Sequence, residues 1–202
     1  VTMHNGNVAA GGNMLVTAAT LASGETFTFD GSQELDGRFT VLSGGGNDTI
    51  TGGALKDYLD GGAGADTIDG GGGNDNILGR AGADTLIGGA GLDYFHYQDV
   101  NESNAANGID KITDFTVGAA GEKIDLSGID ANTGVGATGN QAFTFIGTNT
   151  AFHNVAGELR VVNENGNWFV QGDTDGDGNA DLIIQIVNGG DIPLWGAQHF
   201  LL

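Results

Sequence analysis

An aspartate recurs every nine residues through the middle of the chain, at Asp48, Asp57, Asp66, Asp75, Asp84 and Asp93. Two positions after each stands a large apolar residue: Ile50, Leu59, Ile68, Ile77, Leu86 and Phe95. Five positions before each stands Ser43, Gly52, Gly61, Gly70, Gly79 or Gly88. The unit reads G-G-x-G-x-D-x-U-x, with U large and apolar, and is cleanest in residues 61–69 and 70–78. A short period held through tandem copies is the mark of a solenoid, in which each unit buries its apolar residue only by stacking on another. A glycine-rich linker with solvated acids would not keep apolar residues in register.

The unit divides into a six-residue turn, G-G-x-G-x-D, and a three-residue strand, x-U-x. Alternate side chains of a strand face opposite ways, so U points inward and neighbours such as Thr49, Thr51, Thr67 and Thr85 point out. Two units then make one coil, and each unit stacks on the one two places away at about 4.8 Å. One edge carries Asp48, Asp66 and Asp84, and the other Asp57, Asp75 and Asp93. Carboxylates stacked that closely repel unless a cation lies among them. Ca²⁺, which takes six to eight oxygens, fits an edge of carboxylates and backbone carbonyls. The candidate ligands are the six aspartates and the loop glycines Gly44, Gly46, Gly61, Gly62, Gly64, Gly70, Gly71, Gly73, Gly79, Gly82, Gly88, Gly89 and Gly91. Two edges of three loops leave about four inter-loop sites. Two units depart from the pattern. Leu55 replaces a glycine beside Lys56, and Arg80 replaces another. A non-glycine at positive φ costs about 1 kcal/mol or more, so the loop around Asp57 is expected to bind calcium weakly or not at all.

The acids dominate the charge: 26 against 6 basic residues, for a net charge of -20. Such a chain has no means of holding nucleic acid or an anionic membrane by itself. The six cations, Arg38, Lys56, Arg80, Lys111, Lys123 and Arg160, are scattered along the sequence. There is no cysteine, which excludes disulfides and thiolate metal sites. No apolar run is long enough for a transmembrane helix. No signal peptide is evident, and the start at Val1 rather than Met suggests part of a longer chain.

Glycine thins after residue 97, and β-like segments appear at 109–115, 123–126, 142–146, 158–162, 168–171 and 182–187, with no amphipathic helix. Residues 15–42 also look β-like, chiefly at 26–29 and 39–42. Val41 stands nine before Ile50, so the ladder is expected to start before the first clear repeat. The first dozen residues are expected to be poorly ordered.

The order of nonapeptides, then Asp93-Tyr94-Phe95-His96-Tyr97, Val100-Asn101-Glu102-Ser103, residues 108–115 (GIDKITDF) and 123–128 (KIDLSG), resembles the C-terminal domain of serralysin-type metalloproteases and the related R-modules of mannuronan epimerases. The resemblance covers about residues 43–202. It implies an all-β fold: a parallel β-roll of the RTX type with a β-sandwich-like C-terminal cap. Residues 1–42 would be an N-terminal β extension, 43–96 the roll and 97–202 the capping and secretion region, all one cooperative domain. It also implies calcium binding and a C-terminal signal for type I secretion. Asp110 and Asp114 match the segment after the roll and would serve the last calcium sites. The family's protease motif H-E-x-x-H is absent, and the C-terminal HFLL lacks the acidic residue common in the family.

Residues 172–181 (GDTDGDGNAD) open like an EF-hand loop, with Asp173, Asp175 and Asp177 at positions 1, 3 and 5. Position 12 is Ile184 rather than Glu. With Asp181, this segment reads either as an additional metal loop or as an acidic turn between strands. His4, His96, His153 and His199 lack zinc spacing, no serine sits in G-x-S-x-G, and Trp168 and Trp195 read as core. The sequence therefore points to a non-catalytic, secreted module that folds on calcium binding after type I export. It would form the C-terminal part of a larger protein, for example a serralysin-like hydrolase with its catalytic domain upstream. The alternative is an extracellular module that binds polysaccharide or a cell surface.

Overall fold

Each three-residue strand turns one apolar side chain into the core, and the fold follows from where those side chains go. The computed structural model describes residues 1–4, 6–117, 121–134, 138–187 and 195–202. Its strands are β1 (Asn13–Thr17), β2 (Thr28–Asp30), β3 (Arg38–Leu42), β4 (Thr49–Thr51), β5 (Tyr58–Asp60), β6 (Thr67–Asp69), β7 (Asn76–Leu78), β8 (Thr85–Ile87), β9 (Tyr94–His96), β10 (Asp110–Ile112), β11 (Lys123–Asp125), β12 (Thr144–Thr148), β13 (Glu158–Glu164), β14 (Asn167–Asp173), β15 (Leu182–Ile186) and β16 (Phe200–Leu201). Helix among the described residues is confined to two 3-10 turns, Val100–Glu102 and Ala197–His199. None is long and apolar enough to cross a membrane.

Successive strands alternate between two sheets. One runs β1-β3-β5-β7-β9-β11-β16, and the other β2-β4-β6-β8-β10-β15-β14-β13-β12. Within the roll every pairing is parallel. Ile50 lies beside Ile68 and Ile68 beside Leu86, while Leu59 lies beside Ile77 and Ile77 beside Phe95. These side chains are at most 1% exposed. The fold is thus an all-β parallel roll.

The ladder does begin before the first repeat. Val41 pairs with Leu59, Phe29 with Ile50, and Val16 with Val41. The opening residues differ from their expected disorder. Thr2 bridges to Asp30, and Met3 and Val8 are buried against the end of the roll. Glu34 explains the packing: its buried carboxylate accepts from the N–H of Val8 at 3.2 Å and of Gly37 at 3.2 Å. Val8 fills the space above Gly37 that a Cβ there would need.

Beyond the repeats the nine-stranded sheet continues from β10 into β15, which pairs with it in parallel. The direction then reverses, because β14 is antiparallel to both β15 and β13. Asn165 (φ 54°) and Gly166 (φ 86°) supply the left-handed pair that a tight hairpin between β13 and β14 requires. Strand limits shift from the sequence reading. The segment at 109–115 contracts to β10 because Asp114 leaves the ladder to bind the loop below. The 142–146 strand moves to 144–148, and β13 and β14 lengthen to seven residues each because they pair with each other throughout. One apolar core runs from Met3 to Phe200 and includes both tryptophans. Trp195 stacks on Phe115 at 5.4 Å and on Phe200 at 5.8 Å.

Coils this close leave no space for side chains at certain glycines. A Cβ on Gly91 (φ +148°) would lie 1.4 Å from the Gly73 carbonyl, whereas one on Gly72 would meet nothing nearer than 3.5 Å. Gly91→Ala is expected to destabilise the domain by about 2 kcal/mol or more. Gly72→Ala should stay within about 0.5 kcal/mol. Thermal unfolding of both variants by circular dichroism checks the contrast, which equal midpoints would contradict.

Candidate metal centre

Each repeat aspartate ends a turn, and the strand that follows fixes its direction. The side chain points between coils, where all six are at most 2% exposed. From Asp66 onward, Oδ1 accepts from the backbone N–H of the aspartate one coil earlier. On one edge, Asp66 accepts from Asp48 at 2.8 Å, Asp84 from Asp66 at 2.7 Å, and Asp110 from Asp84 at 2.8 Å. On the other, Asp75 accepts from Asp57 at 2.7 Å and Asp93 from Asp75 at 2.8 Å. The first coil completes both columns with Phe27 N–H on Asp48 and Phe39 N–H on Asp57.

The second carboxylate oxygen has no such partner. Oδ2 of Asp66, Asp75, Asp84, Asp93 and Asp110 is buried without a hydrogen bond. Each repeat Oδ2 in this set faces the first glycine of its own loop. It lies 2.4 to 2.7 Å from where a Cβ would sit on Gly61, Gly70, Gly79 or Gly88. The carbonyl of the next coil's first glycine reaches the same spot, Gly79 O for Gly61 (3.0 Å) and Gly88 O for Gly70 (2.5 Å). The other glycines let the loops stack. Ala63 N–H donates to Gly44 O at 2.7 Å, Ala81 N–H to Gly62 O at 3.0 Å, and Ala90 N–H to Gly71 O at 2.9 Å. Gly62, Gly64, Gly71, Gly73, Gly82, Gly89 and Gly91 all have positive φ, as has Gly46.

Unpartnered buried oxygens, a cradle kept open by glycine and an all-oxygen donor set fit a hard divalent cation. Electrostatics point the same way. Burial pushes Asp66 up to about 7, Asp75 to about 8, and Asp84 and Asp93 to about 6, with neighbouring carboxylates adding to the rise at Asp66, Asp75 and Asp93.

The departures behave differently from one another. Arg80 adopts φ 74° where other loops have glycine. Its guanidinium bonds Asp60 at 2.9 Å and Gln98 at 2.7 Å, with Glu102 at 3.6 Å, so three successive coils are tied across one edge. Loop 52–57, with Leu55 and Lys56, contains no residue at positive φ. There the Gly53 N–H donates to Asp57 Oδ2 at 2.6 Å, which occupies the oxygen a cation would need. In the first loop the Ser43 hydroxyl donates to Asp48 Oδ2.

The columns close on cap residues. Asp110 continues the first edge, and burial beside Asp84 raises it to about 8. Asp114 accepts from Gly88 N–H at 2.9 Å and Gly89 N–H at 2.8 Å. Sequence reasoning missed Glu122. It is buried, Oε1 lies 3.0 Å from a Cβ position on Gly88, and burial with Asp114 and Asp93 raises it to about 8. It therefore stands where the next coil's carbonyl would be. Also missed were Asn47 and Asn74, which accept from Ala65 N–H at 2.9 Å and Leu92 N–H at 3.0 Å. Their Asn-Asp pairs in GGGND were the available signal. Away from the roll, Asp173, Asp175 and Asp177 bring carboxylate oxygens within 4.8 Å of one another. Asp173 already accepts from Gly176 and Gly178 N–H, and Asp181 turns to Thr174. Of the histidines, His96 bonds Asp125 and Asn76, exposed His153 bonds Glu158, and His199 lies within the core beside Trp195.

Carboxylates raised by burial bind protons more tightly folded than unfolded. Asp75, Asp110 and Glu122 sit near 8 in the fold, against about 4 in an unfolded chain. Without cations, the contribution of these groups to stability is therefore greatest below about pH 4 and falls as pH rises toward about 8. Circular dichroism in metal-free buffer should show more β structure at pH 5 than at pH 8.5. Equal or reversed signals would contradict the burial of these groups.

Residues 42–77 and 69–99 match the family model of the RTX calcium-binding nonapeptide repeat, which has four copies. No curated protein matches the chain. Among solved structures it is similar to the AlgE6R2 subunit of the Azotobacter vinelandii mannuronan C5-epimerase, with 26% identity over 76% of this chain and 92% of that one, and a TM-score of 0.47. The AlgE6R3 subunit of the same epimerase is 16% identical over 99% of this chain and 83% of that one, with a TM-score of 0.46.

Proposed function

We propose that this chain, whose residues 42–99 form an RTX calcium-binding nonapeptide array, is a non-catalytic module that folds when calcium binds. The observation that carries the reading is the row of buried Oδ2 atoms without a partner at Asp66, Asp75, Asp84, Asp93 and Asp110. Calcium would be held by these oxygens with loop carbonyls and, at the end of the second edge, Glu122. Bound there, it supplies the positive charge the edges lack. Because the unfolded chain has no preformed site, binding free energy becomes folding free energy. In a low-calcium cytosol the repelling acids keep the chain extended and threadable. Outside, millimolar calcium suits sites of the affinity usual for extracellular modules. The lack of cysteine accords with such a route, and type I export as part of a larger protein is the setting we infer.

The cap belongs to the same transition. β10 lies directly on β8, and Asp110 continues the aspartate column into it. Replacing Asp66, Asp75 and Asp84 together with Asn keeps size while removing three charges. The variant is expected to lose calcium-induced β structure and the buried environments of Trp168 and Trp195 together. Circular dichroism and tryptophan fluorescence with and without calcium test this. A folded cap in the triple variant would show that the cap folds independently.

A second reading, binding of an extracellular polysaccharide, draws on one groove. Arg38 and Lys56, distant from most other cations in sequence, line it with Tyr58, Asn76, Asn13 and Thr40. Titration with an oligouronate and a neutral glucan of equal length separates the ligand classes. If neither binds more tightly to the wild type than to Arg38→Ala/Lys56→Ala, the groove has no such role.

A further inference from the structure

We infer that Ser43 is a built-in plug that closes the first position of one calcium column; the inference rests on the calcium reading above. Sequence gives Asp48 the same standing as Asp66 and Asp84, but the geometry separates it. In units beginning with Gly61, Gly70, Gly79 and Gly88, the first position carries no side chain, and the aspartate Oδ2 that lies where a Cβ would stand has no donor. In the first unit that position is Ser43, 6% exposed, and its hydroxyl donates to Asp48 Oδ2. The side chain does two things at once. Its Cβ occupies the space that glycine leaves free, and its O–H satisfies the oxygen a cation would otherwise take.

The rest of this position is built as in the others. Loop 61–66 stacks on loop 43–48 through Ala63 N–H to Gly44 O, and Asp48 N–H donates to Asp66 Oδ1 as at later coils. Above it the chain provides a coil with no repeat sequence. Segment 18–27 sets the Ala18 and Glu25 carbonyls against Gly44 and Gly46 and the Phe27 N–H on Asp48. This matches the way Gly44 O and Gly46 O meet Gly62 and Gly64. On this edge a single hydroxymethyl group thus separates the closed position at Asp48 from the open ones at Asp66 and Asp84, whereas on the other edge the Gly53 N–H closes Asp57, and the first coil is held by protein donors alone.

Counting bound calcium by native mass spectrometry and equilibrium dialysis on the full chain tests this. Ser43→Gly is expected to hold one more ion than wild type. Ser43→Thr, which keeps the hydroxyl, should hold the wild-type number. Ser43→Ala, which keeps the Cβ, should also hold that number, while needing more calcium to fold because Asp48 Oδ2 loses its donor. A Ser43→Gly protein, folded by circular dichroism, with the wild-type count overturns the plug while leaving the calcium reading intact. An Ala count equal to a raised Gly count overturns the argument from space. Should Ser43→Gly fail to fold in millimolar calcium, the position cannot be an openable site, and the inference falls. A wild type that holds no calcium overturns the calcium reading, and this inference with it.

Discussion

The coils between Asp48 and Asp93 hang on one bond, from an aspartate carboxylate to the amide of the aspartate eighteen residues earlier. The bond fixes register, because a one-residue slip would turn each inward Ile or Leu to solvent. It also brings carboxylates to the spacing of parallel strands, with burial that solvent cannot relieve. Using one oxygen for the ladder leaves the other aimed into a space made of carbonyls and glycine. The solenoid is thus geometrically complete and electrostatically incomplete at the same residues. That combination is what the proposed calcium-dependent folding rests on.

How much of this is legible in the sequence depends on whether the period holds. Ile50, Ile68 and Leu86 announce their stacking because turns of equal length separate them. Phe29 and Val16 do the same work, yet the numbering gap to their partners Ile50 and Val41 is 21 and 25 instead of 18. Their loops close with backbone carbonyls and the Glu34 carboxylate, which carry no glycine signature. The first coil was therefore visible only as β-like sequence. Glu122 was hidden for a different reason. Among 26 acids nothing marks one as buried, and its place at Gly88 comes from strand β11 lying beside β9. The acidic turn at 173–181 shows the converse. Its spacing leaves open a metal loop or an acidic turn, and the fold shows both the clustered carboxylates of Asp173, Asp175 and Asp177 and the turn amides that they accept from.

The two ends of the roll solve one problem by different chemistry. A parallel solenoid must stop, and an open end exposes apolar surface and unpaired strand edges. At the start, residues 1–12 lay Met3 and Val8 over the last ring of core, with Glu34 accepting amide protons. Burial alone would raise that carboxyl, but the Val8 and Asp36 amides outweigh it and hold it below its usual value. At the far end the nine-stranded sheet leaves the roll, and antiparallel β14 ends the parallel series.

This asymmetry of donors runs through the columns as well. Asp48 and Asp57 have both oxygens engaged, by Ser43 or Gly53 and by the amides of Phe27 or Phe39. From Asp66 onward, protein donors supply only half of what each carboxylate needs. In a quasi-one-dimensional structure each coil is stabilised mainly by its neighbours. A first coil satisfied by its own donors gives later coils a register to build on, whereas later coils keep a carboxylate oxygen that an ion would satisfy under the proposed function. The cap lies beyond those dependent coils, and its core is continuous with theirs through Phe95 and Phe115. On the proposed calcium reading, ions held at the edges would govern the order of residues far from any proposed ligand, including Trp195, through packing alone.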